Sequence, residues 1–130
     1  MDGGDGAGDP PLGSRRDGRP PGVRDHVLVL PSVICSHVVA ERIAERVPRA
    51  RAAPHDHGCG QIGADKAQTR RTFLGVARNP NVAGAVVVGL GCEGVQSDGV
   101  AADLREHVPT RELSIQGEGG TGAAVEAGAA

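Results

Sequence analysis

Ala83-Gly84-Ala85-Val86-Val87-Val88 is an apolar run with no alternating polar position. A strand with one face in water alternates; a strand covered on both faces does not, and parallel sheets between helical layers use the second pattern. The run predicts a central strand at 83–88. A second run, Val27-Leu28-Val29-Leu30, predicts another at 26–30 and continues as an apolar exit through Val33 and Ile34. Pro31 marks where its regular pairing weakens.

Between these strands the apolar period lengthens. Val39, Ile43 and Val47 fall at i, i+4, i+8, predicting a helix capped by Ser36 and ended by Pro48. A short strand is expected near 50–54. After a polar, glycine-rich loop at 55–64, Asp65 is expected to cap a helix through Arg78, with Phe73, Leu74 and Ala77 inward, stopped at Asn79-Pro80. Ser97 or Asp98 caps a third helix carrying Val100, Leu104 and Val108, with Pro109 at its end. Leu113-Ser114-Ile115 reads as a short strand, and Gly119-Gly120-Thr121 opens a fourth helix that breaks off at Ala130. The order βαβαβαβα predicts an α/β fold: a mainly parallel, Rossmann-like three-layer sheet with right-handed crossovers, C-terminally truncated.

The 130 residues suit one domain. Residues 1–23 are Gly, Pro, Asp and Arg with little to bury, and are expected to be a flexible tail before an α/β domain at 24–130. Phe73 is the single aromatic residue, so the core must be aliphatic. Net charge is −2 and no basic stripe is interleaved with aromatics, which argues against nucleic acid as a partner. No apolar stretch approaches the ~20 residues needed to span a bilayer. No basic-then-apolar leader opens the chain, so a cytoplasmic location is expected. Thiols stay reduced there, and cysteines are more often metal-binding or catalytic than paired.

Cys35, Cys59 and Cys92 each close or follow a strand run or its exit loop. Open α/β sheets bind ligands outside the carboxyl ends of their strands, so three thiols there would converge where a metal could sit. The alternative is packing, since cysteine is also a small hydrophobe. Gly89-Leu90-Gly91-Cys92-Glu93-Gly94 matches the G-x-G-x-x-G of dinucleotide sites. It follows a late strand, however, Val95-Gln96 separate it from the helix, and only Glu112 stands near the place of the ribose-binding acid. His55-x-His57-x-Cys59 is dense in ligand types but lacks a second ligand pair. The amides of Gly119-Gly120-Thr121 at a helix start could bind an anion, and Arg24 or Arg70-Arg71 could clamp a carboxylate.

Several motifs in order resemble the second domain of the altronate/galactarate dehydratase family. They are Asp17-Gly18-Arg19 with Gly22-Val23-Arg24; Val27 through Ser36; His57-Gly58-Cys59-Gly60-Gln61; Ala77-Arg78-Asn79-Pro80-Asn81-Val82; Val88 through Glu93; and Ile115-Gln116-x-Glu118-Gly119-Gly120-Thr121. The match covers about residues 15–130. The large subunit of sulfolactate sulfo-lyase is similar too. One departure is Asp25, where the family pattern has Asn after the arginine.

The resemblance implies a hydro-lyase acting on a small-molecule sugar acid such as altronate or galactarate. It implies iron, as Fe2+ or an iron–sulfur cluster, with Cys35, Cys59 and Cys92 as ligands. Full-length members carry a large further C-terminal domain and many a small N-terminal one, so a separately encoded lyase domain is an expected partner. Within the implied reaction His57 is the candidate base, and Glu93 would orient it or act as an acid. Arg24, Gly119, Gly120 and Thr121 would hold the substrate carboxylate. The alternative is a fragment or subunit that is inactive without its partner.

Overall fold

The computed structural model describes residues 12–130. A hairpin of β1 (Ser14–Arg16) and β2 (Arg19–Gly22) precedes a four-stranded sheet of β3 (His26–Pro31), β4 (Ala50–Ala52), β5 (Val82–Gly89) and β6 (Thr110–Ser114). The sheet is wholly parallel, in the order β4-β3-β5-β6. The helices are α1 (His37–Arg46), entered through a 3-10 turn at Ile34–Ser36, then α2 (Gly63–Ala77), α3 (Ser97–Arg105), α4 (Ile115–Glu118) and α5 (Thr121–Ala129).

The expected three layers are present. On one face Leu28, Leu30, Ala85 and Val87 meet Phe73 and Ala77 of α2 and Val100, Ala101 and Leu104 of α3. On the other, Val29, Val88 and Leu113 meet Val39, Ala40 and Ile43 of α1 and Ala124 and Val125 of α5. Residues of β5 thus pack into both cores, which is why its sequence does not alternate.

Pro31 ends β3 at no loss to the ladder. In a parallel strand the N–H and C=O of one residue point to the same side. Val29 uses the β4 side, accepting from Ala53 N–H at 3.1 Å, and Ser32 uses the β5 side, donating to Val88 O at 3.0 Å. Pro31 therefore faces the β4 side, where that strand has already ended at Ala52.

Several expectations are corrected. The tail was expected through residue 23, but Ser14–Gly22 form the hairpin; residues 1–11 lie outside the described residues. Arginines hold the hairpin down. Arg16 donates to Pro80 O at 3.0 Å, Arg24 O at 2.8 Å and Asp25 Oδ1 at 2.6 Å. Arg19 donates to the carbonyls of Asn79 and Val82. Anchors of this kind leave no hydrophobic pattern in the sequence.

Ser36 stands at the cap position of α1, yet its buried hydroxyl bonds Val33 O and Val88 O instead of capping. Asp65 lies inside the first turn of α2, where its charge favours the helix dipole, because the helix starts at Gly63. Gln96, not Ser97 or Asp98, is the N-cap residue of α3. Ile115 begins α4 rather than extending β6. Ser114 enforces the change by accepting from Gly117 N–H with its hydroxyl at 3.0 Å. Among the described residues no helix is long and apolar enough to cross a membrane.

Candidate functional site

β3 and β5 are neighbours, and the chain leaves them toward opposite faces, to α1 from β3 and to α3 from β5. Such a switch point opens a crevice at the carboxyl ends of the strands. One carboxylate joins its two walls. Glu93 is 3% exposed. Its Oε1 accepts from Ser32 Oγ at 2.9 Å and Leu90 N–H at 3.3 Å, and its Oε2 from Gly91 N–H at 2.6 Å. Burial pushes the carboxyl pKa up, but the donors outweigh it, led by Gly91 N–H, and the pKa lies below the ordinary 4.5. Glu93 is thus an ionised tie between strand exits. The roles of acid or of partner to His57 are not supported, since its oxygens are taken up by Ser32, Leu90 and Gly91.

The same contacts weaken the dinucleotide reading. The Leu90 and Gly91 amides, which a pyrophosphate would need, bond a carboxylate, and α3 begins three residues after Gly94.

The loop between β4 and α2 crosses the crevice. His55 donates from Nε2 to Pro31 O at 2.6 Å and accepts His57 N–H on Nδ1 at 3.0 Å, the one tautomer that serves both bonds. Its ring is half-buried 4.8 Å from that of Phe73. Burial lowers its pKa, partly opposed by the Pro31 carbonyl. Farther along, His57 O accepts Ile34 N–H at 2.9 Å and Gly58 O accepts Val95 N–H at 3.1 Å. Gly58 has φ +95, and a Cβ there would come within 2.8 Å of Val33 Cα, so only glycine lets the loop lie so close to the β3 exit.

His57 itself is exposed and lines a cleft of about 470 Å³ with His55, Gln61, Gln68, Thr69, Thr72, Phe73 and Asp65. Gln61 shapes that cleft by accepting from Gly58 N–H and Thr69 Oγ1.

The fourth wall is the α4–α5 junction. Gln116 N–H donates to Leu90 O at 3.0 Å, and its side-chain amide reaches Cys92 Sγ at 3.8 Å. The Gly119 and Gly120 amides, expected to bind an anion, are instead spent closing α4, on Gln116 O and Ile115 O. The open donors are one step on, in the first turn of α5 at Thr121, Gly122 and Ala123, since Ala124 N–H is the first to bond back, to Gly120 O.

Cys35, His57, Cys59, Cys92, Glu93 and the start of α5 therefore share the carboxyl edge of the sheet. Arg24 does not. It precedes β3 and stands at the amino edge, roughly 20 Å of strand away. Its expected role in holding the same carboxylate is corrected on that ground. Arg70 is paired with Asp103 at 2.7 Å on the α2–α3 side. All three thiols are free and exposed. Among the described residues no three His, Cys, Asp or Glu side chains are grouped so as to hold a metal ion. Sequence reasoning missed Ser32, Gln61 and the cleft face of α2. Ser32 and Gln61 act through side-chain hydrogen bonds that no periodicity marks; Thr69 and Phe73, four apart, were the available helical signal.

The family model for the D-galactarate dehydratase/altronate hydrolase second domain matches residues 13–130. The (2R)-sulfolactate sulfo-lyase subunit beta of Chromohalobacter salexigens is 42% identical over 93 residues, 70% of this chain and 24% of the relative. The altronate dehydratase of Bacillus subtilis is 36% identical over 91 residues, covering 62% and 18%. That of Escherichia coli is 32% identical over 100 residues, covering 69% and 20%. The chain thus spans a quarter or less of the length of these relatives. No solved structure matches.

Proposed function

The chain belongs to the D-galactarate dehydratase/altronate hydrolase second-domain family, and from that premise we propose that it forms one wall of a lyase site that eliminates water from a sugar acid. The observation that carries this is the carboxyl-edge cleft, where an exposed imidazole stands among the amides of Gln61 and Gln68, the hydroxyls of Thr69 and Thr72, the Asp65 carboxylate and the rings of His55 and Phe73. The polar groups suit the hydroxyls of a polyol chain, and the rings suit its C–H face.

The proposed substrate is a 2,3-dihydroxy acid such as altronate or galactarate. His57 takes the proton from the carbon beside the carboxylate, the electron pair forms the C2–C3 double bond, and the 3-hydroxyl leaves. The same imidazolium returns the proton to that hydroxyl, releasing water, and the enol ketonises to a 2-keto-3-deoxy acid. Imidazole suits both transfers because one ring nitrogen can take a proton and give it back. The C–H is a weak acid, so the developing enediolate needs donors already in place; the first-turn amides of α5 supply them at this edge.

Iron is the cofactor the family resemblance implies. The thiols suit it in kind, but not in placement, being exposed and not grouped with further ligands. As they stand these residues do not make an iron site. We also propose that a further lyase portion, joined to this chain or supplied by another, closes the crevice. The relatives' greater length and the 81% exposed Ile62 on the crevice loop support this.

The test is turnover of altronate, galactarate and (2R)-sulfolactate by the chain assembled with that portion. His57→Gln should lower kcat by roughly 10²–10⁴ with little change in KM. An unchanged kcat removes His57 as base. Preference for sulfolactate removes the sugar-acid substrate.

A further inference from the structure

The amino edge of the sheet carries a second feature, independent of the chemistry above. Arg24, Arg49 and Arg51, with Val23, Asp25 and His26, line a recess of about 290 Å³. Asp25 is its acidic group, and that charge is already answered. Arg16 bonds it at 2.6 Å and Ser14 at 2.8 Å, and these donors hold its pKa below the ordinary range. Among the described residues none of the three lining arginines has a carboxylate partner. Arg51 reaches only the Ala50 carbonyl. Three guanidinium groups therefore border one small concavity whose one lining carboxylate, Asp25, is bonded by Arg16 and Ser14 and attracts Arg49 only at longer range.

The backbone supplies a separate observation. Ala50 N–H bonds Val47 O at 3.1 Å, closing a four-residue turn with Pro48 and Arg49 at its centre. Arg49 has φ +68, the one described non-glycine residue with a positive φ. Position i+2 of such a turn favours glycine or asparagine, and a long side chain there is strained. Strained residues persist where the surrounding structure over-determines them, and they concentrate at binding sites. Arg49 O is fixed by Val27 N–H at 3.0 Å, so the strained residue is locked into the β3–β4 ladder beside the recess.

We propose that Arg24, Arg49 and Arg51 form a binding site for a small polyvalent oxyanion, of the phosphate or dicarboxylate class, at the amino edge of the sheet. Guanidinium forks match the paired oxygens of both groups. The recess is of small-ligand size, and the charge is concentrated rather than spread along a stripe, which favours a small anion over an acidic macromolecule.

The experiment is thermal unfolding and calorimetric titration of the chain with inorganic phosphate and with malonate, against chloride at equal ionic strength. Phosphate or malonate should raise Tm beyond the chloride control; the stronger of the two identifies the anion. Arg49→Gly should keep or raise the basal Tm, because glycine accepts the positive φ, while weakening anion binding at least tenfold. The surface double variant Arg24→Gln/Arg51→Gln should weaken it similarly. Equal Tm in phosphate, malonate and chloride overturns the site, as does an anion response unchanged in both variants. A polyglutamate peptide binding a hundredfold tighter than phosphate, and losing that affinity in the same variants, would replace the small anion by an acidic chain.

Discussion

Replacing Glu93 by Gln is the sharpest test of how the crevice is built. The carboxylate receives two short bonds, from Gly91 N–H at 2.6 Å and Ser32 Oγ at 2.9 Å, and one longer bond from Leu90 N–H. Gln keeps one acceptor oxygen, loses the charge, and turns an NH2 toward a buried donor. A hydrogen bond to a charged group contributes about 1.5–3 kcal/mol, and an unsatisfied buried donor costs about 1–3 kcal/mol. Losing one and creating the other should destabilise the chain by about 3 kcal/mol, roughly 10 °C in Tm for a domain of this size. Urea unfolding at pH 7, followed by circular dichroism, reads this directly. A pH series adds a second signature. The folded pKa of Glu93 is depressed, so its contribution is fully present above the ordinary 4.5 and is lost as pH falls through the lower folded value. The gap between wild type and Glu93→Gln should therefore narrow below about pH 4.5, since a protonated Glu93 resembles Gln. A gap under about 0.5 kcal/mol at pH 7, the scatter of an ordinary surface change, would refute the tie between the strands. So would a gap that stays constant down to pH 3.

Gly58→Ala should cost at least about 2 kcal/mol, since the added Cβ meets the β3 exit and the φ is unfavourable; a urea midpoint equal to wild type contradicts the packed loop. His55 has a pKa lowered mainly by burial, so stability should fall as pH drops below 6.5 toward the depressed value, and His55→Gln should flatten that slope. An equal slope in both proteins would assign the pH dependence elsewhere. Anaerobic iron reconstitution of the chain alone should leave less than one iron per chain. Stoichiometric iron that disappears in Cys35→Ser would show that the thiols regroup around metal.

The fold was legible where burial writes a period into the sequence. The unbroken Val86-Val87-Val88 run, the Val39/Ile43 stripe and the Val100/Leu104 stripe each mark a packed face. The hairpin was not legible, because arginine-to-carbonyl bonds hold it and such bonds leave no pattern. Capping chemistry was misread for a related reason: the Ser36 hydroxyl, though at the cap position of α1, is drawn into the core, and Ser97 lies inside α3 with its hydroxyl on Glu112 at 2.6 Å. In the candidate site, Cys35, Cys59 and Cys92 follow strands and so lie at the carboxyl edge, but they are exposed and not grouped as metal ligands. Arg24 was misplaced against a rule already available, because a residue preceding a parallel strand lies at the opposite edge from one that follows it. Glu93 looked like chemistry because it is an acid beside a cysteine; only the burial and its three donors reveal a structural tie.

Pro31 has a consequence for how the molecule meets other chains. A short edge strand such as β4 leaves the strand beside it open above its end, and an exposed row of donors and acceptors invites a foreign strand to add on. Above Ala52, β3 offers an incoming strand nothing to grip. Pro31 has no N–H to give, and its carbonyl is taken by His55. A partner that covers the crevice must therefore dock through side chains, not by adding a strand to β3 at this edge.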